Sequence, residues 1–153
     1  MTNNTHLFTL GYEGLSMDEF LELLRGAHVQ VLADVRENPY SRKPLSEEVT
    51  GAGIEYQSWK PLGAPKPIRD RIKADNDWRA YTKGFLAHLE VPETAADVAR
   101  LTALANEKVV CLLCYEADAN RCHRRYVADA VQAAGGPMPV HLRVGSAQRC
   151  DEF

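Results

Sequence analysis

The chain contains one stretch in which nucleophilic, basic and acidic side chains directly follow a strongly apolar run. The six apolar residues from Val109 to Cys114 show no alternation, which predicts a central strand of a parallel sheet, buried on both faces. Cys114 stands at the carboxyl end of this strand, and the residues that follow include Glu116, Cys122, His123 and Arg124. A cysteine near a helix N-terminus and cationic groups tends toward the thiolate. Cys114 or Cys122 is therefore a candidate nucleophile, with His123, Glu116 or Asp34 as acid or base.

Positive charge is concentrated where this stretch enters a helix. Three arginines crowd into the predicted helix start: Arg121, Arg124 and Arg125. We predict that Cys122, His123 and Arg124 lie in the first turn, behind a cap at Asp118 or Asn120. Cations at a helix N-terminus are unfavourable, so Glu116, Asp118 or a bound anion is expected to offset them. The structural alternative is an ordinary i, i+4 pair between Arg125 and Asp129, with Cys111 as plain core.

A second polar group follows another predicted strand, Val29–Asp34. Asp34 stands at the end of that strand, where an acid is exposed to the crevice of an open α/β sheet. Arg36 and Arg42 follow in a proline-containing loop and are expected to reach the same crevice, where a guanidinium can bind a phosphate. The structural alternative is an ion pair that fixes the loop, joining Asp34 to Arg36, Arg42 or Arg124. Such pairs occur at functional and at purely structural positions.

Alternating strands and helices must position these residues. We predict an α/β fold: a single domain over residues 1–153, three layers deep, with a mainly parallel sheet of about five strands and helices on both faces. The predicted strands are His6–Leu10, Val29–Asp34, Ile54–Trp59 toward an edge, Val109–Cys114 and Val140–Val144. The first predicted helix begins after Ser16, with Glu19 completing a capping box. The other predicted helices cover Ser46–Gly51, Pro67–Lys73, Asp77–Leu89, a stretch from Pro92 and the segment after Cys122 that ends at Gly135.

Composition limits the class of ligand and the compartment. The 153-residue chain has a net charge of −3, so a nucleic-acid partner requires a local concentration of basic residues. No signal core or membrane-spanning run is present in the sequence, which predicts a cytoplasmic protein with reduced thiols and no membrane partner. The four cysteines do not have zinc-ribbon spacing. We therefore predict no metal site and no cofactor, and the sequence gives no oligomeric state.

Several separated motifs together resemble one known family. The motifs are Thr9-Leu10-Gly11-Tyr12, Asp34-Val35-Arg36-x2-Pro39-x-Ser41-Arg42, Tyr56, Leu62-Gly63, Leu113-Cys114-Tyr115-Glu116 and Cys122-His123-Arg124. In this order and over almost the whole chain, they resemble the domain of unknown function 488 family. The resemblance implies a small cytoplasmic α/β domain, mostly prokaryotic, without an established reaction. It carries over the following motif residues: Gly11, Asp34, Arg36, Pro39, Ser41, Arg42, Cys114, Glu116, Cys122, His123 and Arg124. Tyr12 departs from the family, since relatives often have histidine there.

Three functional hypotheses follow from these residues. The first is an anion site for a phosphate-containing small molecule or nucleotide at the carboxyl edge of the sheet, with cysteine-dependent hydrolase or transferase chemistry. Its predicted binding residues are Gly11, Tyr12, Arg36, Ser41, Arg42 and Arg124. The second is a non-catalytic nucleotide or nucleic-acid-binding module, with Tyr12, Tyr40 and Trp59 stacking on bases; the acidic total makes long nucleic acid the less favoured ligand. The third is a structural role for the whole constellation.

Overall fold

A sheet of five parallel strands organises the part of the chain that the structure describes. The structure, a computed structural model, describes residues 6–36, 45–115 and 123–142. The strands are β1 (Leu7–Gly11), β2 (Val31–Asp34), β3 (Glu55–Ser58), β4 (Val110–Cys114) and β5 (Pro139–Leu142). Their order is β3-β2-β4-β1-β5, and every neighbouring pair is parallel. The predicted α/β class, the strand number and the edge position of β3 are confirmed.

Helices cover both faces of this sheet. They are α1 (Met17–Gly26), α2 (Leu45–Gly51), α3 (Lys66–Asp75), α4 (Trp78–Leu89), α5 (Pro92–Glu107) and α6 (Arg124–Ala133), with a short 3-10 helix at Lys60–Leu62. Because successive strand side chains point to opposite faces, Leu7 belongs to one core cluster and Phe8 to the other. The cluster with Leu7 packs against α4, α5 and α6, and the cluster with Phe8 packs against α1 and α2. This arrangement confirms the predicted three layers.

Local sequence signals fix the start of α1 as predicted. The Ser16 hydroxyl accepts a hydrogen bond from the Glu19 amide at 3.1 Å, and the Glu19 carboxylate accepts one from the Ser16 amide at 2.9 Å. This reciprocal pairing satisfies donors that a helix start leaves without intrahelical partners. The cap holds the loop between β1 and α1 at the carboxyl edge of the sheet.

Helix α4 buries the stripe formed by Tyr81, Phe85 and Leu89, which leaves Leu86 43% exposed, although its apolar side chain alone predicts a place in the core. The predicted start of the last helix is wrong. Helix α6 begins at Arg124 with His123 as its N-cap, instead of a cap at Asp118 or Asn120 and a first turn that includes Cys122 and His123. No side chain caps this helix, because the His123 ring bonds to a carbonyl of another loop.

The central strands β1 and β4 lead to opposite faces of the sheet. Gly11 at the end of β1 is in register with Cys114 at the end of β4. Beyond the strands, the Tyr12 amide donates to the Cys114 carbonyl at 3.2 Å, and the Glu13 amide donates to the Tyr115 carbonyl at 2.8 Å. After β1 the chain continues to α1 on one face of the sheet, and after β4 it continues to α6 on the other face. Open α/β sheets bind ligands at the carboxyl edge where neighbouring connections separate.

Within the described ranges, no helix combines the length and the apolar content needed to cross a bilayer.

Candidate functional site

A buried ion pair closes the carboxyl end of β2. The Asp34 carboxylate is fully buried and accepts two side-chain hydrogen bonds from Arg36, from Nε at 2.8 Å and from Nη2 at 2.6 Å. It also accepts the backbone amide of Arg36 at 3.1 Å. Burial opposes the charged guanidinium, but the hydrogen bonds and the charge of Asp34 outweigh burial and raise the pKa of Arg36. Arg36 is therefore a permanent cation with a fixed orientation.

Two tyrosines complete this cluster, one on the neighbouring strand β3 and one just after β1, which lies beyond β4 in the sheet. The Tyr56 hydroxyl on β3 donates to Asp34 Oδ2, and burial together with this contact raises the pKa of Tyr56 to about 12. The Tyr12 hydroxyl after β1 accepts a hydrogen bond from Arg36 Nη1 at 2.9 Å. The guanidinium carbon of Arg36 also lies 5.3 Å from the centroid of the Tyr12 ring. Three strands thus contribute to one hydrogen-bonded group, which we call the Asp34 cluster: Tyr12, Asp34, Arg36 and Tyr56.

The hydrogen bonds of Arg36 leave part of its guanidinium available. A guanidinium has five N–H groups, and three of those on Arg36 are engaged by Asp34 and Tyr12. Arg36 also shares a side-chain hydrogen bond with Tyr56, so within the described residues one terminal N–H of the guanidinium is left without a partner. Arg36 also lines a pocket of about 130 Å³. The other residues around this pocket are Tyr12, Leu15, Ser16, Met17, Phe20 and Leu45.

A second polar group lies at the same edge of the sheet, on the face covered by α6. Arg124 is fully buried; its Nε donates to Thr9 Oγ1 at 3.1 Å and its Nη1 donates to Cys114 Sγ at 2.9 Å. Thr9 Oγ1 in turn lies 2.5 Å from His141 Nδ1 on β5. Burial and the charge of Arg124 lower the pKa of His141. We call these four residues the Arg124 cluster: Thr9, Cys114, Arg124 and His141.

His123 links the two clusters. Its Nε2 lies 2.7 Å from the carbonyl oxygen of Val35, the residue between Asp34 and Arg36. Because a carbonyl can only accept, this ring nitrogen carries the proton. Burial, reinforced by the charge of Arg124, lowers the pKa of His123 to about 4, although the Val35 carbonyl and Asp34 oppose the shift. His123 is therefore neutral at physiological pH and ties the Asp-Val-Arg loop to the start of α6.

The cysteines differ in state. Cys111 is a free and buried thiol on the face toward α1, and burial raises its pKa to about 12, so it is core as predicted. Cys114 is disulfide-bonded in the structure, which differs from the expectation of reduced thiols throughout. Since Cys111 is free, the partner of Cys114 lies outside the described residues. Nucleophilic chemistry at Cys114 consequently requires prior reduction.

The structure brings together the predicted site residues that it describes. Gly11, Tyr12, Asp34, Arg36, Cys114, His123 and Arg124 all lie at or next to the carboxyl edge. Of the pairings considered for Asp34, the structure has the one with Arg36 and not the one with Arg124. Arg125 and Asp129 form the expected exposed pair at 4.0 Å. The predicted site residues Ser41, Arg42, Glu116 and Cys122 lie outside the described ranges, as do Pro39, Tyr40, Arg121 and Asp118.

Sequence reasoning missed His141 as a member of the site. The residue stands in a short strand at the far edge from β3, and its role follows from its register with Thr9. That register depends on the strand order, which a single sequence does not give. Among the described residues, no group of three or more histidine, cysteine or acidic side chains is arranged to hold a metal ion.

The fold and this edge define a small α/β protein with a polar site at the ends of its central parallel strands. A family model described as "Domain of unknown function DUF488" matches residues 16–131. The match covers most of the chain, and the protein therefore belongs to the DUF488 family. No curated protein and no solved structure matches the chain.

We expect Asp34→Asn to lower the free energy of unfolding by about 3–5 kcal/mol, because a buried guanidinium would lose its charged partner. Urea denaturation followed by circular dichroism measures the change. The matched control is Asp70→Asn, which removes a carboxylate paired with Lys66 at the exposed surface and should leave the midpoint nearly unchanged. Equal effects of the two substitutions would contradict the central role of the Asp34–Arg36 pair.

The state of His123 predicts a pH dependence of stability. Between about pH 6.5 and 4 the unfolded chain binds a proton that the folded chain does not, so stability falls as the pH falls through this window. The window corresponds to a loss of roughly 3 kcal/mol from this residue. In His123→Gln the glutamine amide can still donate to Val35 but cannot titrate. The stability difference between wild type and variant should therefore narrow from pH 6.5 to 4, and a difference that stays constant over this range would contradict the assignment.

Proposed function

We propose that this protein binds an anionic, phosphate-containing small molecule or nucleotide at the carboxyl edge of its sheet, with Arg36 as the principal ligand to the anion. One observation carries the proposal. Arg36 is oriented by Asp34 and Tyr12, lines a pocket and keeps one terminal N–H without a partner within the described residues. A terminal N–H of a guanidinium donates a charge-assisted hydrogen bond to a phosphate oxygen.

The start of α1 adds to this site. Ser16 and Met17 line the same pocket as Arg36, and the first amides of a helix point out of its N-terminus. The capping box already engages the amides of Ser16 and Glu19. The partial positive charge of the helix start favours an anion here. Asp18 and Glu19 in the first turn oppose it, so Arg36 must supply most of the affinity.

The site favours a small ligand over a long nucleic acid. Among the described residues of the site, the positive charge of Arg36 is compensated by Asp34. The chain as a whole carries a net charge of −3. Binding to long nucleic acid depends mainly on several uncompensated lysine or arginine side chains along a surface. The alternative function, a nucleotide or nucleic-acid-binding module that breaks no bond, uses the same pocket. It differs in predicting a ligand that is released unchanged.

Substitution of Arg36 tests the proposal. We expect Arg36→Gln to weaken the binding of inorganic phosphate and of nucleoside monophosphates about ten- to a hundredfold, because a charge-assisted hydrogen-bonding group is lost. Arg36→Lys should weaken binding less, since lysine keeps the charge but not the fork of donors. Titration calorimetry at constant ionic strength measures the affinities, and circular dichroism verifies that the variants are folded.

The matched control is Arg25→Gln, which removes one exposed positive charge from the opposite end of α1. This variant should bind phosphate as the wild type does. Undiminished phosphate binding by folded Arg36→Gln would refute the proposal.

A cysteine-dependent hydrolase or transferase is the second candidate, and the contact between Arg124 and Cys114 favours it. After reduction of its disulfide by an external dithiol, a Cys114 thiolate would face the guanidinium that lies 2.9 Å from its sulfur. A neighbouring cation stabilises a thiolate. Because Cys114 lies on the face covered by α6, its substrate would bind on that face and not in the Arg36 pocket. The thiolate would attack the phosphorus or carbonyl carbon of that substrate, and the leaving group would depart with the electron pair of the broken bond.

Alkylation separates this candidate from simple binding. In the reduced protein we expect Cys114 to react with iodoacetamide at neutral pH faster than a free thiol, and Thr9→Val to slow that reaction because it removes the hydrogen bond that orients Arg124. Cys111 provides an internal control, because it is as buried as Cys114 but its sulfur is not hydrogen-bonded to the Arg124 guanidinium, and burial raises its pKa to about 12. Mass spectrometry of the alkylated peptides gives both rates. A Cys114 rate no higher than that of a free thiol would exclude nucleophilic catalysis by this residue.

A further inference from the structure

An exposed aromatic ring stands beside the proposed anion site. Tyr115, the residue after β4, is 49% exposed. Its ring meets the Tyr12 ring edge to face, with the centroids 5.3 Å apart and the planes at 80°. Neither the ion pair nor the core accounts for this exposure, because Tyr115 belongs to neither of the two core clusters.

The position of this ring is fixed by the backbone. The Tyr115 carbonyl accepts a hydrogen bond from the Glu13 amide at 2.8 Å, which extends the pairing of β1 and β4 past the ends of the strands. The Tyr12 amide likewise donates to the Cys114 carbonyl at 3.2 Å. The two tyrosines are therefore attached to the two central strands, at the edge where the chain separates to opposite faces. An exposed ring held in this way loses little conformational entropy when a ligand binds.

Tyr12 connects the exposed ring to the cation. The same Tyr12 ring that packs against Tyr115 lies 5.3 Å from the guanidinium carbon of Arg36, and its hydroxyl accepts from Arg36 Nη1. The Tyr115 ring and the Arg36 guanidinium each lie 5.3 Å from the centroid of the Tyr12 ring, so the two groups are at most about 11 Å apart. A molecule with a flat aromatic ring at one end and a phosphate at the other can reach both.

We propose that the ligand of this site is a mononucleotide whose base stacks on Tyr115 while its phosphate binds Arg36. This inference rests on the proposed function and names the ligand class for it. Stacking accepts any base, because every base has a π face. A single exposed ring suits one nucleotide, whereas binding of a long single strand uses a series of stacking side chains along a basic groove. The selectivity that follows is for a base-bearing phosphate over a sugar phosphate.

The experiment compares three ligands that share a phosphate: inorganic phosphate, ribose 5-phosphate and adenosine 5′-monophosphate. Titration calorimetry at constant ionic strength should show adenosine 5′-monophosphate binding to the wild type about five- to a hundredfold more tightly than ribose 5-phosphate. Tyr115→Ala should abolish this difference and leave the affinity for ribose 5-phosphate unchanged. Tyr115→Phe should keep the difference, because stacking needs the ring and not the hydroxyl.

A matched control and a direct readout complete the test. Leu86→Ala shortens an apolar side chain of similar exposure on α4 and should change none of the affinities. In proton NMR spectra, the ring signals of Tyr115 should shift upfield with adenosine 5′-monophosphate and stay in place with ribose 5-phosphate.

The outcomes distinguish the two proposals. Equal affinities of ribose 5-phosphate and adenosine 5′-monophosphate for the wild type would overturn the inference about the base while the anion site stands. A nucleotide preference that survives in Tyr115→Ala would also overturn it, because the base would then bind elsewhere. If the wild type bound none of the three phosphates, the proposed anion site itself would fail, and the nucleotide inference with it.

Discussion

The buried pair of Asp34 and Arg36 is the interaction on which the geometry of the carboxyl edge depends. It joins the end of β2 to the residue two positions later, and through Tyr12 and Tyr56 it reaches both β1 and β3. Taking two charges out of water is expensive, and such a pair contributes little net stability compared with apolar side chains of the same volume. Its effect is instead directional, because it fixes the orientation of a guanidinium that would otherwise be one of the most flexible groups in the chain.

Val35, the residue between Asp34 and Arg36, is also fixed by several contacts. The Val35 side chain is fully buried, its amide donates to the Leu113 carbonyl at 3.2 Å, and its carbonyl accepts from His123. The loop after β2 is therefore attached to β4 on one side and to the start of α6 on the other. Burial lowers the pKa of His123 more than this hydrogen bond raises it, so the ring clamps the loop in its neutral form.

Much of this fold could be predicted from the sequence, because its signals are local. The apolar run of β4, the capping box at Ser16 and the proline at the start of α5 each specify an element without reference to the rest of the chain. The candidate site was predictable only in part. The parallel topology predicts that Asp34 and the start of α6 lie at one edge of the sheet. It does not predict that Asp34 pairs with Arg36 instead of Arg124, because this depends on the sheet face from which each side chain extends. The contact of His141 with Thr9 depends in turn on strand order, which arises from long-range packing.

The neutrality of the Asp34–Arg36 pair bears directly on what this edge can recognise. A carboxylate beside a guanidinium removes most of the long-range attraction for anions, so the site does not concentrate polyanions from solution. The carboxylate binds Nε and one terminal N–H, and the terminal donor that is left keeps its direction. In a largely apolar pocket that direction matters more than the net charge, because hydrogen bonds to a desolvated anion are strong only when they are well aligned. Arginine is therefore the cation that the arrangement requires: one planar group can bind the carboxylate with one edge and present a terminal donor to a ligand, which a lysine ammonium cannot do.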